Sequence, residues 1–342
     1  MKRLCLYLLL LTAAVGGTSC ATTKQPPTVT APGVVYIRDS LYLDEAEVAN
    51  IHWLEYLYFL QTDSSRAVYE AALPDTTLWS KHRLSLPDTV RDVFMDYYLR
   101  FPGFRYFPVV GVSQAQAEAY CRWRSAKVME NLYTSRRQRR RLRDYDVQVS
   151  YRLPTAAEWA LGASGRLDPA RHPYGYEHPP RQVPKRKRVD RVPQCYNPVD
   201  FPAGAAFFLT EVNVLEHLYY QTAPGQPPVY FRCDGPPRPP NPGTTMADIR
   251  PDGSVNPDAA GVEKITDYVY AYPPNGYGLY NMIGNVAELT TTPGQAKGGS
   301  FEHPMAACRP GTYQAYDGPQ EWLGFRCACT IRVRRKASRT AP

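Results

Sequence analysis

The sequence predicts a loop-rich fold of the α+β or β class, and three observations carry that prediction. Proline and glycine number 33 and 23 in 342 residues, and they break most apolar runs before a helix can extend. Only three segments show helical patterning behind a capping signature. Hydrophobic residues make up 44% and charged residues 21%, which supplies a sizeable core and excludes a disordered chain. Helical bundles and coiled coils are excluded by the first observation. Eight cysteines are too few for a disulfide-dense scaffold of this length. At roughly 150 residues per domain the length allows one large domain or two ordinary ones. No linker or internal repeat interrupts 34–335, so one domain with embellished loops is expected there, followed by a tail at 336–342.

The chain opens as a targeting segment. Met1, Lys2 and Arg3 supply positive charge, an apolar stretch runs over 4–15, and small residues lead to Cys20. The stretch is shorter than the roughly 20 residues a bilayer span needs. Small residues just before a cysteine resemble a bacterial lipoprotein signal, although Gly17 stands where leucine is usual. Residues 1–19 are therefore read as a signal peptide and Cys20 as the lipidated first residue; an ordinary cleaved signal peptide is the alternative. Ala21 carries no acidic retention signal, so the expected location is the outer membrane, lipid-anchored, on its periplasmic side. Residues 21–33, polar and proline-rich, read as an extended tether.

The helix starts come next. Each carries capping-box chemistry, a side chain that caps an N–H with a Glu or Gln three residues on reaching back. Asp44 with Glu47 is expected to open a helix through Ile51, Trp53, Leu54, Leu57 and Phe59. Ser113 with Gln116 opens one through Ala117, Tyr120 and Cys121, and Thr155 with Glu158 a short one through Trp159 and Leu161. Beyond about Gly165 only short apolar runs remain, broken by Pro and Gly.

The formal charge of +8 is concentrated in basic clusters at 136–143, 181–191 and 332–336. The first is expected to continue the second helix. Such runs bind nucleic acid or anionic lipid in some proteins and are a solvated face in most. In an exported chain nucleic acid is not an expected partner.

Five segments in order form a specific set: FPVVGVS at 107–113 leading into Tyr120, Cys121 and Trp123; YRLPT at 151–155 before Ala157, Glu158 and Trp159; PPNGYGLYNMIGNVAEL at 273–289; KGGSF at 297–301; and LGFRC at 323–327. This set resembles the formylglycine-generating enzyme family, also called the sulfatase-modifying factor domain, over nearly all of 34–332. The resemblance implies a single irregular α+β domain, a variant of the C-type-lectin fold with little regular secondary structure. Asn275-Gly276 reads as a turn pair tolerant of positive φ, and Gly298-Gly299 as a place of close backbone approach.

The resemblance also frames the chemistry. Enzymes of the family oxidise a sulfatase cysteine at a copper held by two cysteines just after the GGS motif; soft thiolates select Cu(I). Here the first position, three residues after Ser300, is His303, and the second is Cys308. One thiolate is missing, so copper is not expected and Ser300, His303 and Cys308 form a degenerate site. The family's Trp-Glu-Trp reads Ala287-Glu288-Leu289, which is expected to remove an aromatic wall from the substrate groove. The non-haem iron of the family's sulfoxide synthases is also unsupported, because none of the six histidines has the required close spacing. A structural calcium is implied on the Asn281 and Glu288 side chains and the Gly284 and Val286 carbonyls, hard oxygen donors from one loop. The alternative there is that the asparagines cap a turn and Glu288 pairs with an arginine. A second calcium position near Asp248 diverges.

Cys121, Cys195, Cys233, Cys308, Cys327 and Cys329 allow fifteen pairings, and the sequence does not choose. Cys327 matches a family cysteine whose usual partner position is Ala163. The functional expectation is a non-catalytic lipoprotein that uses the domain as a binding module. Its segments at 44–53 and 107–113 resemble the branch found in gliding-motility and type IX secretion assemblies of Bacteroidota, whose envelope proteins would be its partners. A formylglycine-generating oxidase is the alternative, and a glycan-binding module the third.

Overall fold

The structure is a computed structural model that describes residues 27–81, 94–177, 206–210, 212–216, 218–222, 225–231 and 265–337. The leader, Cys20, the basic run at 181–191, Cys195, Cys233 and Asp248 lie outside the described residues. It shows a mixed helix-and-sheet fold with short elements joined by long irregular segments. Among the described residues no helix is long and apolar enough to cross a membrane.

Among the described residues, the N-terminal half supplies three strands and five α-helices. Strands β1 (Val34–Arg38) and β2 (Leu41–Asp44) form a hairpin. Helices α1 (Asn50–Asp63), α2 (Arg66–Ala71), α3 (Gln114–Leu132) and α4 (Arg136–Leu142) follow, then strand β3 (Tyr145–Arg152) and helix α5 (Ala156–Ala163). A small third sheet is formed by β4 (Ala206–Leu209), β5 (Tyr219–Thr222) and β6 (Val229–Phe231). The C-terminal part holds β7 (Ala287–Leu289), β8 (Gln295–Lys297), β9 (Gln314–Ala315), β10 (Leu323–Gly324) and β11 (Ala328–Arg335).

The last strand organises the molecule. In the sheet ordered β1-β2-β11-β3, β11 lies antiparallel between β2 and β3, and pairs with all eight residues of β3 from Arg152 to Tyr145. A second sheet runs β10-β7-β8-β9. The main core lies between α1, α3 and these two sheets, where Trp53 stacks on Tyr120 at 5.5 Å and Phe325 meets both rings edge-on.

Two of the three capping boxes form. Ser113 Oγ accepts from Gln116 N at 3.2 Å while Gln116 Oε1 accepts from Ser113 N at 2.7 Å. Thr155 and Glu158 exchange the same pair at 3.2 and 2.9 Å. The expected Asp44–Glu47 box does not form. Asp44 ends β2, a non-helical link with a bend at Glu45 and Ala46 covers 45–49, and α1 starts at Asn50. That link is stitched to the chain's far end: Asp44 N and Val48 N donate to the carbonyls of Cys327 and Phe325, and Val109 N donates to Val48 O. Both acidic side chains are used in tertiary contacts, which outweigh the local pattern.

Three further expectations need correction. The basic run at 136–143 does not continue α3; Tyr133 to Ser135 interrupt it and α4 is a separate helix. The structure brings this run to the third cluster, because Arg335 pairs opposite Tyr145 and Lys336 Nζ donates to Arg143 O. The tether, from residue 27 on, lies against the domain: Val29 is buried in the main core and Pro32 O accepts from Arg124. Asn275 and Gly276 do not take positive φ, which falls instead on Gly278, Asn281, Gly284 and Asn285. Asn275 Oδ1 holds the turn by accepting from Tyr277 N and Leu279 N, and Gly276 is needed because a Cβ would strike the carbonyl of Gly165.

Candidate functional site

The GGS segment leaves β8 and turns into the 3-10 turn Met305–Cys308. Gly299 sits at φ +67, and a Cβ there would collide with Cys308 Sγ, so the glycine lets the sulfur pack directly on the backbone. Gln314 locks the two pieces together: its Oε1 accepts from Gly299 N at 2.9 Å and its Nε2 donates to Ala307 O at 2.7 Å. Sequence reasoning missed Gln314, whose role depends on a contact between β9 and a distant turn.

Cys308 is fully buried among Tyr174, Tyr176, Val214, Ile283 and Met305, and its Sγ donates to Pro304 O. Burial pushes its thiol up to about 12, and a backbone N–H from Gly284 offsets that only in part. At neutral pH the sulfur is a protonated core thiol. His303 faces elsewhere. Its Nδ1 is 2.7 Å from Ser300 Oγ, its ring lies edge-on to Trp322, and burial lowers its pKa below the ordinary imidazole value. Ser300 is itself fully buried and accepts from Glu302 N. No hydrogen bond joins His303 to Cys308, and no group of three or more His, Cys, Asp or Glu suited to a metal occurs among the described residues. A single cysteine sulfur, with the imidazole hydrogen-bonded to Ser300, does not supply the two sulfur donors of such a copper centre.

Ala287 and Leu289 do not wall a groove. Both are fully buried in the main core on one face of β7. The change from tryptophan at these positions therefore reports on core packing and says nothing about substrate.

Glu288, between them, points to the other face and meets Arg326 of the LGFRC segment. Its Oε1 accepts from Arg326 Nη2 and its Oε2 from Arg326 Nε, both at 2.6 Å. Trp159 Nε1 also donates to Oε2, at 2.7 Å. The guanidinium completes its bonding on the carbonyls of Asp44, Glu45 and Tyr280. Both charged groups are fully buried. Three of the sequence motifs, at 157–159, 287–289 and 323–327, thus meet at one ion pair.

Beside it lies a polar cluster. Asn285 Nδ2 donates to Glu47 Oε1 at 3.0 Å and Asn281 Nδ2 donates to Glu47 Oε2 at 3.2 Å. Asn285 Oδ1 accepts from Asn213 Nδ2 and Asp267 N. Burial pushes Glu47 up to about 8 against the pull of Arg326, and Glu288 adds to the rise. Of the oxygens assigned to calcium, Asn281 Oδ1 is buried and has no hydrogen-bond partner among the described residues. That orphaned oxygen is of the kind a hard cation takes, as are backbone carbonyls such as those of Gly284 and Val286. Glu288 fits less well, since Arg326 already neutralises its charge.

Among curated proteins none matches the chain. Among solved structures it is similar to Treponema denticola variable protein 1, at 17% identity over 88% of this chain and 92% of that one, with a TM-score of 0.38. It is similar to PvdO from Pseudomonas aeruginosa at 16% identity over 85% and 80%, TM-score 0.36. For CarF the identity is 15% over 89% and 95%, TM-score 0.39. The family model described as the sulfatase-modifying factor enzyme 1-like domain matches residues 13–207 and 249–331. With most of its length matched, the chain belongs to the sulfatase-modifying factor enzyme 1-like domain family.

Proposed function

We propose that the protein is a non-catalytic member of this family, a lipid-anchored envelope protein that uses the domain as a binding and structural module. The observation that supports this most is the state of Cys308. A copper oxidase of this type needs two converging thiolates, whereas a single sulfur stands here, buried and packed on Gly299, and His303 is bonded to Ser300. The leader ending at Cys20 supports attachment to the outer membrane on its periplasmic side, where two or more acyl chains give stable anchoring. The likeness of 44–53 and 107–113 to gliding-motility and type IX secretion lipoproteins supports a place in such an assembly, with other envelope proteins as partners. A structural calcium on Asn281, Gly284, Val286 and Glu288 belongs to the same reading, supported by the unpartnered Asn281 Oδ1. Its contribution would be to hold the 281–288 loop.

Two measurements test the two halves. Incubation with a Cys-x-Pro-x-Arg peptide, copper and oxygen is expected to leave the peptide mass unchanged, and Cys308→Ser to leave cellular function intact. Conversion to formylglycine that Cys308→Ser abolishes would promote the oxidase reading. Fractionation of Cys20→Ala is expected to show the protein released from membranes; firm retention would remove the anchor.

A further inference from the structure

The cysteines have no pairing that sequence alone can select, and the fold brings two free thiols, Cys121 and Cys327, into contact. Cys121 lies on α3, and its Sγ is 3.5 Å from Sγ of Cys327, the residue just before β11. Both side chains are buried in the main core. Among the described residues this is the one sulfur–sulfur hydrogen-bond contact; Cys329 lies in the same core and Cys308 in a separate apolar cluster. The surroundings hold the pair in register. Arg124, one turn beyond Cys121, donates to Asp44 Oδ2 at 2.7 Å, and the same oxygen accepts the backbone N–H of Cys327 at 2.9 Å. One carboxylate oxygen thus ties the helix face and the strand together beside the two sulfurs.

We propose that Cys121 and Cys327 are joined by a disulfide that staples α3 to the C-terminal strand. Reaching the roughly 2.05 Å of an S–S bond moves each sulfur by less than about 1 Å, within the reach of side-chain torsions. The oxidant is an external disulfide of the thiol-exchange class. One cysteine thiolate attacks it and expels one external thiol. The second cysteine attacks the mixed disulfide and expels the other. Two electrons and two protons pass from the protein to the external disulfide, which leaves as two thiols. Burial raises the Cys327 thiol well above its ordinary value, so exchange belongs to the folding chain, before α3 covers the strand. The bond departs from the family pattern, which places the partner of Cys327 at the position of Ala163 on α5. The proposal rests on the export reading above, since an oxidising compartment is where such a bond persists.

The test uses the full chain isolated from membranes under acid quench, alkylated in denaturant and digested with trypsin without reduction. The expected product is peptide 106–122 linked to peptide 327–332 and two hydrogens lighter than their sum. The link is expected to survive in Cys329→Ser. Reductant is expected to lower the melting temperature by about 5 °C or more, because the bond spans 206 residues of sequence. The same chain is also refolded in oxidised glutathione. A link formed only on refolding upholds the pairing and removes the export reading. Free, alkylated Cys121 and Cys327 in both preparations, or a link moved to Cys329, overturns the proposal.

Discussion

Glu288 shows how the sequence can single out a residue and leave two partners open for it, a calcium ion or an arginine. The AEL motif identified it, but its carboxylate is first of all the counter-ion of Arg326, with both groups fully buried. Removing one member of such a pair leaves an uncompensated charge in the core. Glu288→Gln is therefore expected to cost about 3–5 kcal/mol in denaturant unfolding. Arg326, in the link between β10 and β11, was legible only as a letter of LGFRC, because its partner lies 38 residues away on β7. Glu47 was hidden further still: the contact that defines it spans 234 residues, to Asn281. Calcium at this loop makes a separate prediction. Chelation is expected to lower the melting temperature of the wild type, since a ligand bound only by the folded state stabilises it. Asn281→Ala, which keeps the Glu288–Arg326 pair, should melt lower and ignore the chelator. A wild-type melt indifferent to chelator would leave the ion pair as the sole role of Glu288.

At the level of elements, the signals that proved legible were those whose partners lie within one turn. The Ser113 and Thr155 boxes form because donor and acceptor are three residues apart, and the further partners of Gln116 (the Ala71 and Leu73 carbonyls) and of Glu158 (Arg152) leave the capping bonds in place. Ser113→Ala is expected to cost about 1 kcal/mol in thermal or denaturant unfolding, the usual worth of a helix cap. The same letters at Asp44 and Glu47 failed because each side chain has a better partner far along the chain: Arg124 and Cys327 for Asp44, two asparagines for Glu47. Strands β3 and β11 carry a signal that was available and overlooked. Val147, Val149 and Tyr151 alternate with more exposed residues, and Ile331 and Val333 alternate with the exposed Arg332 and Arg334. Reading 332–336 as a charge cluster obscured that two of its arginines are the outward face of a strand.

For the whole molecule, the decisive feature is where the last strand goes. Class and irregularity were readable from proline, glycine and the scarcity of periodic runs, but sheet order was not, because it depends on pairings between opposite ends of the chain. β11 enters between β2 and β3, so the N-terminal hairpin reaches the rest of its sheet only through the final strand. The segment just before it supplies Phe325 to the core, Arg326 to the buried ion pair and Cys327 to the Asp44 clasp. Formation of that sheet must wait for contacts of very high sequence separation, which makes the fold's completion non-local and cooperative. Truncation before Ala328 is accordingly expected to leave β2 and β3 without their shared partner, and the product to lose its cooperative unfolding transition and become open to protease throughout. A truncated chain that still unfolds in one sharp transition would mean that the sheet containing β7 and the helices fold without the closing strand, and that β11 only secures a structure already formed.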